Sequence, residues 1–515
     1  MAAMAMTRRQ MVQAMGAAGM GSAALGSAGL ASAGLASAQQ RASKPNILFL
    51  MADQHRGDCL RSDGNAAAVT PNLDRIGAEG ARFRCAYTST PSCTPARSCL
   101  LTGMSPWNHG MLGYGRVAQK YPVELPRLMK EAGYFTAAVG KLHYSPQRNY
   151  HGYDLALLDE SGREESIDFR SDYRAWFHTE APNLDPDATG VGWNDYKGKP
   201  YVLPERLHPT RWTADVAVHF LESYQRPQPF FLKVSFARPH SPYDPPQRWM
   251  DRFRDGVPAA RVAPWAERYA PRNSDRDDIW HGRVSDEETR TARQAYHGSV
   301  GFVDEQIGRI LDALEKRGLL EDTLILYTSD HGDMTGDQNL WRKSYAYEAS
   351  ARVPMLMRWP KGMVSGKRGQ VRAEPVELRD ITATILAAGE AKLPRPIDGR
   401  SLVECVVKDG AGWRPWIDLE HDVCYSKENH WNALTDGREK YIYHARDGEE
   451  MLFDLAGDPQ EMRNLAGETG STATLRTWRG RMLEHLQVRG EPFVKGGALA
   501  MRPESGLYSP NYPRA

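Results

Sequence analysis

Cysteine is scarce and dispersed: six residues, at 59, 85, 93, 99, 405 and 424, in a chain of 515. That is too few for a disulfide scaffold, and no close zinc-type spacing occurs among them. Charge of one sign is missing as well. Sixty-five Lys and Arg oppose 64 Asp and Glu, a formal net charge of +1, with no long run of either. Composition therefore gives no ground for nucleic-acid or anionic-membrane binding. Past the N-terminus no segment reaches the roughly 18 apolar residues of a membrane span. What is present, 41% hydrophobic and 25% charged residues, is the mixture of an ordinary globular protein whose core needs no metal or disulfide staple. The length suits about two to four average domains, or one large α/β domain with a smaller companion.

The first 38 residues stand apart. "TRRQMVQAM" carries Arg8 and Arg9, an Ala/Gly/Leu/Met tract follows, and Ala36-Ser37-Ala38 closes it as a small-x-small cleavage site. Basic, then apolar, then small is the order of an export signal, and the paired arginines favour the twin-arginine route. Its removal takes two arginines and no acid, leaving a net charge of −1. A periplasmic or secreted mature protein is expected.

Strand and helix signals then alternate. Ile47 to Met51, in "PNILFLMADQ", is a short continuous apolar run of the kind found in buried parallel strands, and it runs into Asp53. "TPNLDRIGAEGARF" reads as a helix with Thr70 as N-cap and Pro71 first. "LPRLMKEAGYFTAAVGKLHY" gives a helix, a stop at Gly133 and a strand from Thr136 to Val139; "PFFLKVSFARPHSPY" gives a third strand. From Asp286 a long helix begins, with Ser285 and Glu288 as a capping box. It sets Tyr296, Val300, Val303, Ile307, Ile310, Leu311 and Leu314 on one face. Gly318 ends it, and "TLILYTSDHGD" supplies a fourth buried strand.

The pattern predicts an α/β fold over residues 44–395: a large, mostly parallel mixed sheet sandwiched by helices. After about residue 395 the texture changes. "GREKYIYHARDGEEMLFDL" reads as two strands about an Asp447-Gly448 turn, and "TATLRTWRGRMLEHLQVRG" as one amphipathic helix. Residues 396–515 are therefore expected to form a smaller α+β domain with an antiparallel sheet. The charged, Pro- and Trp-rich stretch 255–285 reads as a surface excursion of the kind that walls an active site. Asp53, Lys141, His240 and Asp330 each follow a strand, so four segments should converge outside the carboxyl ends of the sheet.

"SCTPARSCLLTG", residues 92–103, raises a chemical question, because a disulfide, a metal pair, a buried thiol and a modified nucleophile all begin from cysteine. The stretch resembles the signature of type I sulfatases, the formylglycine-dependent family of the alkaline phosphatase superfamily: Cys-x-Pro-x-Arg, then Leu-Thr-Gly. The resemblance extends in chain order from "PNILFLMADQ" to "LFDLAGDPQEMRNLA". It implies that a maturation enzyme oxidises Cys93 to formylglycine. The hydrated aldehyde carries two hydroxyls, one to attack sulfur and a second to expel sulfate. Cys99 takes the default reading of a core thiol.

The resemblance also implies a divalent metal held by Asp53, Gln54, Asp330 and His331 with the modified Cys93. The acids are hard oxygen ligands. Gln54 and His331 depart from the commonest sulfatase pattern, which has another Asp and an Asn, and match variants of the choline-sulfatase and phosphonate-monoester-hydrolase branches. Ca2+ is expected on family grounds, with Mn2+ the rival that imidazole favours. Arg97 is implied to fix the nucleophile, Lys141 to bind a sulfate oxygen, and His143 to orient or deprotonate the diol. By the same analogy His240 and Lys343 meet the ester oxygen and protonate the leaving alcohol, while Asp330 helps activate the attacking hydroxyl. In an extended "GKLHY", Lys141 and His143 would share one side. The implied reaction is hydrolysis of an aryl or carbohydrate sulfate monoester. Two other readings are a phosphonate monoester or phosphodiester hydrolase of the same superfamily, and a non-catalytic carbohydrate-binding protein on the same fold. Tyr150, Trp193, Trp265 and Trp280 either stack on substrate or pack locally, and pairing among Cys59, Cys85, Cys405 and Cys424 is open.

Overall fold

The computed structural model describes residues 44–254, 256–427, 429–504 and 506–514; the export signal expected over residues 1–38 lies outside them. An eight-stranded sheet forms the large unit. Its strands are β1 (Asn46–Asp53), β2 (Ala81–Phe83), β3 (Phe135–Gly140), β4 (Leu155–Leu158), β5 (Phe230–Pro239), β6 (Thr323–Ser329), β7 (Met355–Arg358) and β8 (Gln370–Arg372). They lie in the order β4-β3-β5-β1-β6-β7-β2-β8. Among these, β7 runs antiparallel to both neighbours and the remaining pairs are parallel.

Cover on both faces explains why the strands read as unbroken apolar runs. In β1, Ile47, Phe49 and Met51 enter one apolar cluster, and Leu48, Leu50 and Ala52 enter the other. Helices α1 (Pro71–Ala78), α4 (Pro209–Ser223) and α5 (Asp286–Lys316) pack on the second face. The first is covered by α2 (Cys93–Thr102), α3 (Leu125–Glu131) and α6 (Leu378–Ala388). The α5 capping box is present, and all seven apolar residues of its expected face are buried. Burying each aliphatic one is worth about 1.5–3 kcal/mol relative to exposure. Gly318 follows α5 with φ of 67°, a left-handed stop.

One helix is shorter than its sequence suggests. It ends at Ala78, and Ala81–Phe83 becomes β2. Gly80 is the reason: a Cβ there would lie 1.9 Å from the Met357 carbonyl oxygen of β7, so the chain is drawn against the sheet where only glycine fits.

The C-terminal sheet is antiparallel in chain order: β9 (Ile417–His421), β10 (Trp431–Thr435), β11 (Glu439–His444) and β12 (Glu450–Asp454). Gly448 turns the last hairpin at φ 80°. Helix α7 (Thr472–Gln487) packs on one face through Leu475, Trp478, Met482 and Leu486. The other face joins Tyr87, Met334, Leu340, Tyr345 and Tyr347 of the large unit, so one apolar cluster crosses between them. Trp265 stands 4.8 Å from the Tyr347 ring and 5.8 Å from Phe453. The 255–285 excursion thus braces this seam with Trp265. All six cysteines are free, and among the described residues no helix is long and apolar enough to cross a membrane.

Gly80→Ala is expected to destabilise the protein by about 1–3 kcal/mol, the cost of overpacking against backbone that cannot yield. Urea unfolding of the two proteins checks it; an unchanged midpoint would show that β2 and β7 can separate.

Candidate active site

Four strand ends and one helix N-terminus meet at the carboxyl edge of the sheet. Between β1 and β5 the register slips after Ala52, which pairs with Phe236 while Asp53 pairs with Pro239; such an irregularity re-aims the following side chain. Gln54 then turns at φ 71°. On the other side of β1, β6 delivers Asp330 and His331 just past Ser329. Helix α2 begins at Cys93, and the free N–H groups and dipole of a helix N-terminus favour an anion. The hydroxyl of the N-cap, Ser92, is held by His421 Nε2 of β9 at 2.9 Å.

Cys93 Sγ lies 3.2 Å from His331 Nε2, receives Lys343 Nζ at 3.2 Å, and is 4.0 Å from Asp53 Oδ1. Burial and Asp53 push the thiol up, yet Lys343, Lys141 and His331 outweigh them and bring it down to about 7. Arg97, one turn along, has a fully buried side chain. Its Nε donates to Asp330 Oδ2 at 2.9 Å and its Nη2 to Asp53 Oδ2 at 3.1 Å. Nη1 donates to the Lys141 carbonyl at 2.6 Å and to Ser235 Oγ at 3.2 Å. Lys141 forms an ion pair with Asp53, but no acceptor is aligned on its N–H groups. Burial works against the Asp53 carboxylate, but Lys141, His240, Arg97 and Lys343 hold its pKa well below the usual range.

The "GKLHY" segment is not extended. Strand β3 stops at Gly140, and His143 takes φ of 61°. Glu160 holds this turn, its Oε1 accepting from the Leu142 and His143 N–H groups at 3.0 and 2.9 Å. Both Lys141 and His143 are nevertheless buried. His143 Nε2 meets Tyr114 Oη at 3.2 Å, while its Nδ1 is buried without a partner. Burial, with Arg163 and Lys141, keeps this imidazole neutral, its pKa well below the usual value.

His240 Nδ1 donates to the Ser241 carbonyl at 2.8 Å, leaving Nε2 as acceptor for Lys343 Nζ at 2.8 Å. Burial and Lys343 depress its pKa strongly. Trp193 roofs the pair: its ring centroid is 4.4 Å from the His240 ring and 4.4 Å from Lys141 Nζ, close enough for a cation–π contact. Ser241 Oγ pins the Trp193 loop by donating to the Gly192 and Asp195 carbonyls at 3.0 and 2.8 Å. Of the four aromatic candidates, Trp193 contacts site residues. Tyr150 joins the core, and Trp265 and Trp280 pack against the C-terminal sheet.

Asp53, Cys93, Asp330 and His331 turn one atom each into a buried cluster whose members lie within 4.8 Å of one another. The His331 Nδ1–H donates to the Gly332 carbonyl at 2.9 Å, which directs Nε2 at the cluster. Burial opposes charge on His331, yet Asp330 and Cys93 outweigh it and raise its pKa. The cluster thus favours a positive charge, and two carboxylates with an imidazole fit a divalent cation. Gln54 stands at its margin, its amide oxygen accepting from Lys343 Nζ at 3.0 Å and its amide nitrogen donating to Asp333. Asp333 went unread in the sequence although it completes "DHGD". It also accepts from Tyr243 Oη and from the Thr335 and Arg342 N–H groups. No sequence signal separated this orienting carboxylate from a ligand. A cleft of about 1220 Å3 lies elsewhere, between the loop after β1 and the C-terminal sheet. Part of its charged wall is already paired, Arg56 with Asp58 and Asp337, and Arg293 with Asp337. Size does not mark the chemistry here.

A buried thiol ringed by cations, beside a cluster that fits a divalent ion, suits an anionic ester, and the class so defined is the ester hydrolases of the α/β type. A family model for sulfatases matches residues 45–391, and one for the C-terminal part of N-sulphoglucosamine sulphohydrolase matches residues 336–488. The chain is 36% identical to an arylsulfatase of Clostridium perfringens over 88% of its length and 97% of the relative. It is 32% identical to a choline-sulfatase of Rhizobium meliloti, covering 86% of this chain and 87% of that one. The fold is shared with a phosphonate monoester hydrolase of Agrobacterium radiobacter, at a TM-score of 0.72 and 24% identity, over 89% of this chain and 100% of the other. The chain belongs to the sulfatase family.

Arg97→Gln strands the buried Asp330 carboxylate and leaves Asp53 with Lys141, and it is expected to cost about 3–5 kcal/mol of stability in metal-free protein. Urea titration measures this, and a loss below about 1 kcal/mol would mean that Asp330 finds another partner.

Proposed function

We propose that the chain hydrolyses sulfate monoesters of aryl or sugar alcohols, with Cys93 oxidised to formylglycine by a maturation enzyme. A divalent cation, Ca2+ first and Mn2+ as its rival, is assigned to Asp53, Asp330 and His331 with Gln54 and the modified residue 93. The observation that carries this reading is the placement of Cys93 Sγ between Lys343 Nζ and the Asp53–Asp330–His331 cluster. Membership of the sulfatase family, and relatives named arylsulfatase and choline-sulfatase, support the sulfate ester as substrate.

The hydrated aldehyde supplies two hydroxyls on one carbon, one to take the sulfuryl group and one to release sulfate. A bound cation supplies Lewis acidity toward a sulfate oxygen. The chain's own side chains do the rest. Lys141, with N–H groups free of an aligned acceptor, binds a sulfate oxygen. Arg97 pairs with Asp330 and Asp53 and fixes both carboxylates in place, and Asp330 is positioned to draw a proton from the attacking hydroxyl. His143, neutral with an unpartnered buried Nδ1, takes the proton whose loss lets sulfate go. In the unmodified chain Cys93, Tyr425 and Asp53 outweigh the burial of Lys343 and raise its pKa, and Asp53 stays beside it once residue 93 is oxidised. Lys343 stands with neutral His240 where the leaving alcohol needs a proton. Export through the twin-arginine route, which carries folded proteins, would follow oxidation of Cys93 in the cytoplasm and deliver the finished enzyme to the periplasm or beyond.

Mass spectrometry of the peptide spanning Cys93 is expected to show a loss of about 18 Da. Phenyl sulfate should be turned over faster than phenyl phosphonate monoester. Chelation should lower turnover at least about 100-fold, the equivalent of several kcal/mol of charge stabilisation, with Ca2+ or Mn2+ restoring it. Full turnover by material that retains an intact thiol would falsify the reading, and preference for the phosphonate ester would move it to the second activity.

A further inference from the structure

Beside Lys343 stands a guanidinium without an anion. Other buried arginines at this edge of the fold have carboxylate partners: Arg56 has Asp58 and Asp337, Arg97 has Asp53 and Asp330, and Arg238 has Asp244. Among the described residues no carboxylate lies within ion-pair distance of Arg342. Its Nη1 donates to the Asp278 carbonyl at 2.8 Å, and its buried Nε has no acceptor. The titratable groups packed nearest its charge are Tyr425, Cys424 and Tyr345, none of them a carboxylate. A partly buried cation in this condition is costly unless something else supplies the counter-charge.

The backbone holds Arg342 there against its own preference. Arg342 has φ of 67° and Ser344 φ of 82°, left-handed values disfavoured for side chains of this size. The segment is over-determined. The Arg342 N–H donates to Asp333 Oδ1 at 3.1 Å and its carbonyl accepts from Met334 N–H at 2.7 Å. Ser344 N–H donates to the Pro91 carbonyl at 2.8 Å, and Asn429 Nδ2 to the Ser344 carbonyl at 2.6 Å. The guanidinium lies over the Tyr425 ring at 4.1 Å, and Tyr425 stacks on Trp280 at 6.5 Å and 20°. Tyr425 Oη is likewise buried without a partner. Three separate segments thus build a flat cationic platform with spare donors. It adjoins the nucleophile, since Lys343 donates to Cys93 Sγ, and Tyr425 is near enough to Lys343 and Cys93 for their charges to act on it.

We infer that Arg342 and Tyr425 form a subsite for a second oxyanion on the alcohol portion of the substrate, a carboxylate or a further sulfate, next to the sulfate being cleaved. The scissile sulfate already has Lys141, and its leaving oxygen has Lys343, so Arg342 serves the remainder of the molecule through the two-pronged donor geometry that oxyanions fit. The substrate class is accordingly a polyanionic sulfate ester, and a quaternary-ammonium alcohol is disfavoured. This rests on the sulfatase reading above.

The test compares kcat/KM for phenyl sulfate, the three carboxyphenyl sulfate isomers and the phenylene disulfates. At least one anion-bearing ester should exceed phenyl sulfate about tenfold to 100-fold, the range of a charge-assisted hydrogen bond. The carboxylate and disulfate arms tell the two oxyanions apart. Arg342→Asn, which tolerates the left-handed backbone, should cut that ratio at least about tenfold. Tyr425→Phe, which keeps the ring, should lower it about threefold, a lost neutral hydrogen bond. Calorimetry of the alcohol products, hydroxybenzoates against phenol, reads the subsite without turnover. If no sulfate ester is cleaved, the sulfatase reading fails while product binding still decides this one. Equal rates and equal product binding for anionic and neutral forms in the native enzyme would overturn the inference. So would a ratio unchanged in Arg342→Asn; should that variant not fold, an unchanged ratio in Tyr425→Phe has the same force.

Discussion

A single guanidinium ties this structure together. Arg97 reaches the ends of four strands at once: Asp53 after the slipped register of β1, Asp330 beyond β6, the Lys141 carbonyl beyond β3 and Ser235 on β5. It does so from α2, the helix that begins with the nucleophile position. Burying two carboxylates and an arginine carries a large desolvation cost, which only mutual pairing and further hydrogen bonds offset. That cost makes the arrangement specific, since a displaced α2 would leave Arg97 and Asp330 unpaired in the interior and Asp53 with Lys141 alone. The position of Cys93 relative to the sheet is therefore set by electrostatics as much as by apolar packing.

The smaller unit takes part in the site without supplying its acids. His421 of β9 holds the Ser92 hydroxyl at the start of α2, and Asn429 with Trp431 of β10 grips the Ser344 carbonyl beside Lys343. The apolar cluster shared by the C-terminal sheet and residues 334–347 of the large unit gives these contacts a rigid base. Lys343 lies between two left-handed residues, a conformation that a free loop would not keep. The antiparallel sheet is thus part of what presents the lysine to Cys93.

How much of this was legible in the sequence varied with the kind of signal. Strands β1, β3, β5 and β6 announced themselves because burial on both faces removes polar alternation, and α5 did so by its capping box and apolar stripe. Strands β2, β7 and β8, three or four residues each, carry no usable period. Helix α6 is buried almost all round, so it shows no amphipathic face. The site acids and cations were found through local motifs, but Asp333, Glu160 and Tyr114 were not, because each acts by orienting another residue. The aromatic candidates looked alike along the chain and separated only in space, Trp193 over Lys141 and His240, Trp265 in the seam between the two units.

Sequence alone pointed to the family, gave the chain order of the strands that feed the candidate site and singled out Cys93, Arg97 and the two acids as its candidates, because those depend on short-range pattern and residue chemistry. Tertiary structure decided what pairs with what. It showed that His143 reaches its place through a left-handed turn held by Glu160, that all six cysteines stay free, and that Arg342 has no acid. The physical reason is that an ion pair is a statement about distance, and residues 44 and 233 positions apart, as Arg97 is from Asp53 and Asp330, acquire a distance only when the sheet closes around them.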